Sequence, residues 1–462
     1  MLKAAASRRA LTRSRPCLVF VLAFAGLVLA QHPTFAQACP NPPVVDIRSS
    51  SVPSDVCVPA NFPGNPIAFF DDFSWKSFVA LAWPADSSQR GKPDATKNVA
   101  GAGPKVFETY KALWEVFHTD GSKPTAWNKP DAMNACSVSP GMGDLVLASF
   151  SKFSDLGQAG FGSLVGPLVA QNTTYVRYLT AFNELEFDQI VNQGLYLRSQ
   201  LPVSPKTLTF ENGSIDVKSA WIDMTHIPHP ERYYTRTALV LNVADGTCAK
   251  TTVGLVGLHI VQKTAHRPQW IWSTFEQVDN VPPAQPGAQG NFTFNDGTSA
   301  PMPAANPYSI SPLKLPVPPP FNVNRLKPIH SSTQATNTLY QKALHDQGSV
   351  WQFYELVMTQ WPVKADDSSL PGTPANTFPG TGSDSTSFSN TTLETFDQMN
   401  IRTGCMNCHT QTMAATDFVW SVADHAFPPN VPSLLMKNSS FRELRTLMEL
   451  NTQKASDSAS PK

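Results

Sequence analysis

The chain reads as α+β: a β-rich antiparallel body with peripheral helices, followed by a small, mainly α-helical C-terminal region. With 41 prolines and 25 glycines in 462 residues and only 15% charged residues, the sequence is rich in turns and poor in the Glu/Lys/Ala surfaces of a large helical bundle. From about Leu208 to Val278 the hydrophobic period is that of strands. Helix-period segments flank that stretch on both sides.

The N-terminus predicts export. Lys3, Arg8, Arg9, Arg13 and Arg15 form a basic region without acids, and an apolar run from Cys17 to Ala30 follows that is short for a bilayer span. Ala36-Gln37-Ala38 before Cys39, or Thr34-Phe35-Ala36 before Gln37, offers a cleavage site, so residues 1–38 are predicted to be a signal peptide. The uninterrupted apolar core argues against a mitochondrial transit peptide. Ser7-Arg8-Arg9-Ala10-Leu11 matches a twin-arginine signal only in part, and Ala36 stands where a lipoprotein signal has leucine. No later apolar segment reaches the roughly 18 to 20 residues of a membrane helix, so the mature protein is expected to be periplasmic without a membrane span. Removing five basic residues and no acids from a chain of 35 Lys+Arg and 35 Asp+Glu leaves a mature charge of −5. A mildly acidic chain without basic clusters argues against nucleic acid as a partner and favours a protein with a basic docking patch.

The mature chain begins with a Pro- and Ser-rich stretch, 39–66, expected to be an extended arm. A β-rich body is expected over 67–320. It opens with an amphipathic helix in which Trp75, Phe78, Val79 and Ala82 share a face before Pro84 stops it. Lys105–His118 and Tyr175–Gln193 are predicted to be two further helices. Gly101-Ala102-Gly103-Pro104-Lys105 lacks the spacing and strand context of a phosphate loop. Thr235–Val243, Thr251–Val261 and Trp270–Val278 read as strands of a meander, with Asp245-Gly246 as a turn and glycines 254 and 257 where another element approaches closely. Asp223, His226 and His229 lie close in sequence, but Pro228 and Pro230 deny the helix that would aim both imidazoles at one metal. His259 reads as a satisfied core histidine and His266 as a solvated hairpin residue. The Pro/Gly/Asn-rich run 281–324 contains the expected domain boundary, near Pro320. Beyond it, 321–462 is expected to be helical, with Ser331–Gln360 capped by Ser332 or Thr333, divisible at Gly348 and ended by Pro362.

That last region carries Cys405-Met406-Asn407-Cys408-His409. Two thiols separated by two residues suit addition to the vinyl groups of a haem, and the adjacent histidine suits binding of the iron from the same side. A bare Cys-x-x-Cys also serves as a redox dithiol or half a zinc site. Export, and the lack of a second Cys-x-x-Cys, favour haem. Of seven cysteines, Cys17 leaves with the signal; proximity pairs Cys39 with Cys57 and leaves Cys136 with Cys248, free buried thiols being the alternative for the second pair.

Ser77-Phe78-Val79-Ala80-Leu81-Ala82-Trp83-Pro84, Gly257-Leu258-His259-Ile260-Val261, Arg267-Pro268-Gln269-Trp270-Ile271-Trp272-Ser273-Thr274-Phe275-Glu276 and Val357-Met358-Thr359-Gln360-Trp361-Pro362, together with the haem peptide, resemble a group of large bacterial proteins known as cytochrome c family proteins. The resemblance implies an exported monohaem c-type cytochrome. In it Cys405 and Cys408 form the thioethers of one covalent haem c, and His409 is the proximal iron ligand. For the sixth position Met436, just past the proline-rich loop 428–432, has the loop placement that distal ligation needs. Met448, Met399, His425, His330 and His345 are rivals. Met406 lies within the tether, and Met413 falls on the proximal side if its segment is helical. The Gly/Pro setting of a small cytochrome's methionine is missing, which leaves an open, five-coordinate iron as an alternative. The expected function is periplasmic one-electron transfer. A haem c-dependent oxidoreductase using the large body as substrate domain, or a haem-based gas sensor, is the alternative; no acid/base pair or nucleotide motif in the body names a reaction.

Overall fold

The structure, a computed structural model, describes residues 39–134, 136–147, 168–203, 207–242, 247–284, 290–297, 320, 322–369, 371, 377–378, 389–398, 404–410, 412 and 416–428. The signal segment and the Asp245-Gly246 turn lie outside these residues.

An α+β fold is built on one mixed sheet. Its strands are β1 (Lys111–Ala112), β2 (Leu145–Leu147), β3 (Arg177–Phe182), β4 (Ile215–Asp223), β5 (Thr235–Leu241), β6 (Cys248–Thr264), β7 (Arg267–Gln277), β8 (Tyr354–Pro362) and β9 (Thr377–Phe378), in the order β1-β3-β4-β6-β7-β8-β9. The 17-residue β6 organises the sheet. It pairs with β4 along one edge, while the other edge is shared by β5 near its start and β7 near its end. Its sequence, β-branched and glycine-punctuated, suits a strand covered on both faces. β2 joins β5 in parallel, and the other ladders are antiparallel.

One face carries α1 (Ile67–Leu81) and α4 (Ser331–Asp346). α1 holds the expected apolar stripe and ends just ahead of Pro84. Trp75 stacks on Tyr340 at 5.1 Å and meets Phe275 edge-on, and its indole N–H donates to Asn337 Oδ1 at 2.9 Å. The Ser74 hydroxyl lies 2.7 Å from those of Ser273 and Thr359, satisfying polar groups that would otherwise be buried alone.

Three helix predictions are corrected. Over Lys105–His118 the chain forms a 3₁₀ turn, β1 and the short α2 (Leu113–Val116). Glu108 turns back to accept from the Lys105 amide at 2.6 Å, and Lys111 and Ala112 pair with β3, breaking the helix that the apolar spacing implied. Over Tyr175–Gln193 the chain is β3 followed by α3 (Glu184–Asn192), because Asn183 accepts from the Glu186 amide and starts a helix there. Ser331–Gln360 is α4, a 3₁₀ turn and then β8. Val357, Thr359 and Trp361 are strand formers, and β7 supplies their ladder. The cap of α4 is His330, whose Nδ1 accepts from the Ser332 amide; Thr333 instead donates to Asp71 at 2.7 Å. The chain therefore returns to the sheet after Pro320, and the described residues from Cys39 onward form one compact unit.

Disulfides join Cys39 to Cys57 and Cys136 to Cys248. Among the described residues no helix is long and apolar enough to cross a membrane.

Candidate haem attachment site

By register, Lys218, His259, Trp272, Thr274 and Gln360 share the face of the sheet opposite α1. Over this face lies α5 (Cys405–His409), five residues long. Gly404 precedes it at φ 146°, ψ 147°, a conformation that a side chain would strain. The Met406 amide donates to Gln360 Oε1 at 2.7 Å, and the Met406 side chain is buried in the main core. Met406 thus anchors the peptide from behind. Positions 405, 408 and 409 fall at i, i+3 and i+4, so both thiols and the imidazole rise from one side of the turn.

Cys405 and Cys408 form no disulfide, unlike the other four described cysteines. Burial, with the charges of Glu394 and Cys408, pushes the Cys405 thiol well above the ordinary range, so it stays protonated. His409 Nδ1 lies 2.7 Å from the Phe418 carbonyl oxygen. A carbonyl only accepts, so Nδ1 carries the proton and the ligating lone pair is on Nε2. Burial lowers the His409 pKa to about 4, partly offset by that hydrogen bond, and the ring is neutral at physiological pH. The Trp272 ring packs 4.1 Å from the imidazole, centre to centre. The protonated Cys405 thiol with Cys408 on the same side of a helical turn, and a neutral imidazole with its Nδ1 tied to a backbone carbonyl, form a donor set compatible with a covalently held haem.

A charged group adjoins α5. His259 Nε2 lies 3.3 Å from Glu394 Oε1. Burial works to raise the Glu394 pKa, but His259 and Lys218 hold it below the ordinary value. Burial also lowers the pKa of Lys218. His259 is therefore a half-buried residue in contact with Glu394 beside α5, where the sequence predicts a satisfied core histidine. The segment bearing Glu394 reaches this place because Gly257 has no side chain: a Cβ there would collide with Thr392 and press on Leu393.

The remaining candidates are scattered. Met436, Met399, Met413 and Met448 lie outside the described residues. His330 and His345 belong to the α1–α4 layer, across the sheet from His409. His425 is on α6 (Trp420–His425), with Nδ1 3.1 Å from the Ser421 carbonyl. His226 and His229 are exposed at φ 60° and 52°; Asp223 accepts from the Thr225 amide and His229 lies 3.5 Å from Glu231. His266 is exposed and bonds Asp366 at 2.9 Å. Among the described residues no group of three or more His, Cys, Asp or Glu could hold a metal ion.

Two features of the body had no sequence signal. Ser122, His118 and Asp131 form a Ser-His-Asp chain with contacts of 2.8 and 2.9 Å. Asp120 accepts the Ser122 hydroxyl at 2.6 Å, so that chain locks a loop and does not activate a nucleophile. A cavity of about 30 Å³ bordered by Arg90, Glu108, Trp114 and Trp221 has room for a water or two. Of the residues gathered around Cys405–His409, the sequence pointed to Cys405, Cys408 and His409 but not to Phe418, Trp272, Gln360, Lys218 or Glu394. The available signal was that Gly257–Val261, Arg267–Glu276 and Val357–Pro362, which carry the family resemblance, all enter strands facing α5. No protein-family model, no curated protein and no solved structure matches this chain.

Proposed function

We propose that the chain is an exported monohaem c-type cytochrome that carries single electrons in the periplasm, with one haem c held by Cys405, Cys408 and His409. The observation that supports this most is the His409–Phe418 hydrogen bond beside two thiols that form no disulfide. Bound haem would supply a one-electron couple. Around it the chain does the positioning. Cys405 and Cys408 fix the macrocycle's edge, the Phe418 carbonyl keeps the His409 proton on Nδ1, Gln360 holds the start of α5, and Trp272 shields the imidazole from water. In this reading Met436 would supply a further ligand to the iron, and the acidic mature chain would dock a partner with a basic patch.

Expression with a haem-attachment system should give a protein heavier by one haem, low-spin by electron paramagnetic resonance and indifferent to carbon monoxide. Cys405→Ala with Cys408→Ala should abolish covalent haem, and its retention would overturn the proposal. A high-spin, carbon monoxide-binding spectrum would instead mean an open iron and move the reading to catalysis or sensing.

A further inference from the structure

Lys263 and Trp270 occupy an irregularity at the β6–β7 hairpin, where the ladder skips from Gln262/Ile271 to Thr264/Arg267. Such a bulge re-aims side chains. Here it turns Lys263 and Trp270 towards the loop at 416–418. Lys263 Nζ lies 2.5 Å from Asp417 Oδ2, which also accepts from the Phe210 amide at 2.8 Å. The Trp270 indole N–H donates to the Asp417 carbonyl at 3.0 Å. Trp270, Asp417 and Phe418 have φ of 69°, 47° and 70°, left-handed values that are costly for bulky L-residues. Three strained residues thus meet at one junction, and the next carbonyl along, that of Phe418, is the one His409 Nδ1 donates to. Strain of this kind persists only where the surroundings over-determine it. The ion pair and the indole bond are what over-determine it here.

We propose that Lys263, Asp417 and Trp270 are positioning residues that clamp the 416–418 turn so that the Phe418 carbonyl holds the His409 imidazole in one tautomer and one orientation. This deepens the haem c reading and rests on it for its redox consequence. A firm Nδ1–H···O=C bond makes the imidazole a stronger donor to iron and favours the oxidised form. Loosening the clamp should therefore raise the reduction potential.

The test compares wild type with Asp417→Ala, which removes the ion pair, and with Asp417→Asn, which tolerates left-handed φ and retains an acceptor. Trp270→Phe removes the indole donor, together with part of the ring that packs on Phe210. Asp71→Asn, in the layer on the far side of the sheet, is the control for destabilisation alone. Covalent haem content, reduction potential and the ¹⁵N shifts of the His409 imidazole are measured. Asp417→Ala and Trp270→Phe should keep their haem and shift the potential upward, Asp417→Asn should recover part of the shift, and Asp71→Asn should leave the potential in place. Unchanged potentials and an unchanged single tautomer in both clamp variants, with haem present, overturn the clamp and leave the cytochrome reading standing. A wild type without covalent haem overturns that reading; the tautomer then decides the clamp, which requires Nδ1–H alone in wild type and a mixture in Asp417→Ala.

Discussion

Asp131 shows how one buried carboxylate ties a loop to solution pH. Burial works to raise its pKa, but bonds from His118, the Met133 amide and Thr125 outweigh that and hold it at about 2, against 3.8 for the free group. A depressed acid stabilises the fold above its unfolded pKa and loses that contribution as pH falls through the folded one, so the window is about pH 4 to 2. Discounted for partial solvation, the contribution is about 1–2 kcal/mol. Asp131→Asn should lower the Tm at pH 7 and flatten its fall between pH 4 and 2, as scanning calorimetry would measure; an unaltered profile would refute the assignment. At this scale the candidate residues Cys405, Cys408 and His409 were legible because the proposed covalent chemistry fixes residue types and spacing. The Phe418 carbonyl was illegible for the opposite reason. Every residue has a carbonyl, and only the fold decides which one reaches an imidazole. Met436, chosen for its loop placement, stands outside the described residues and awaits the spin-state measurement.

Elements with a strong strand period, β5, β6 and β7, were read within a few residues, as was α1, whose stripe is backed by a proline stop. The misread elements share one cause. In Lys105–His118, Tyr175–Gln193 and the second half of Ser331–Gln360, apolar residues are dense on all sides, so helical spacing occurs by coincidence and tertiary pairing decides the outcome. Lys111 is the sharpest case, a lysine fully buried in β1 with its ammonium 3.2 Å from Glu115 and 2.8 Å from the Lys129 carbonyl. The glycine signal in β6 was sound: Met224 lies against Gly254, and the 390–394 segment against Gly257. Gly257→Ala should displace that segment at a cost of about 1–3 kcal/mol in urea unfolding. A variant as stable as wild type would mean that the contact is not tight.

The molecule as a whole follows the expected class, α+β with an antiparallel-dominated sheet, because composition constrains class more than topology. Composition says nothing of the return of the chain to the sheet at β8. The two disulfides close very different loops, with separations of 18 and 112 residues. In the chain-entropy account, losing Cys136–Cys248 by double serine substitution should cost about 1.6 kcal/mol more than losing Cys39–Cys57. Denaturant titration of the two variants would check this, and equal losses would point to structure retained in the unfolded chain.

The layer of α1 on the sheet also sets a schedule. Asp71 and Trp75 meet partners 262 residues later, and Ser74 meets one 285 residues later. These buried polar groups are completed one after another as Ser273, Thr333, Asn337 and Thr359 are made, the last of them roughly 20–70 s after initiation at ordinary elongation rates. Until then α1 lacks the α4 and β8 partners it is layered with, so a helix made early is completed by segments made late, and the closing of this layer is a late event in the life of the nascent chain.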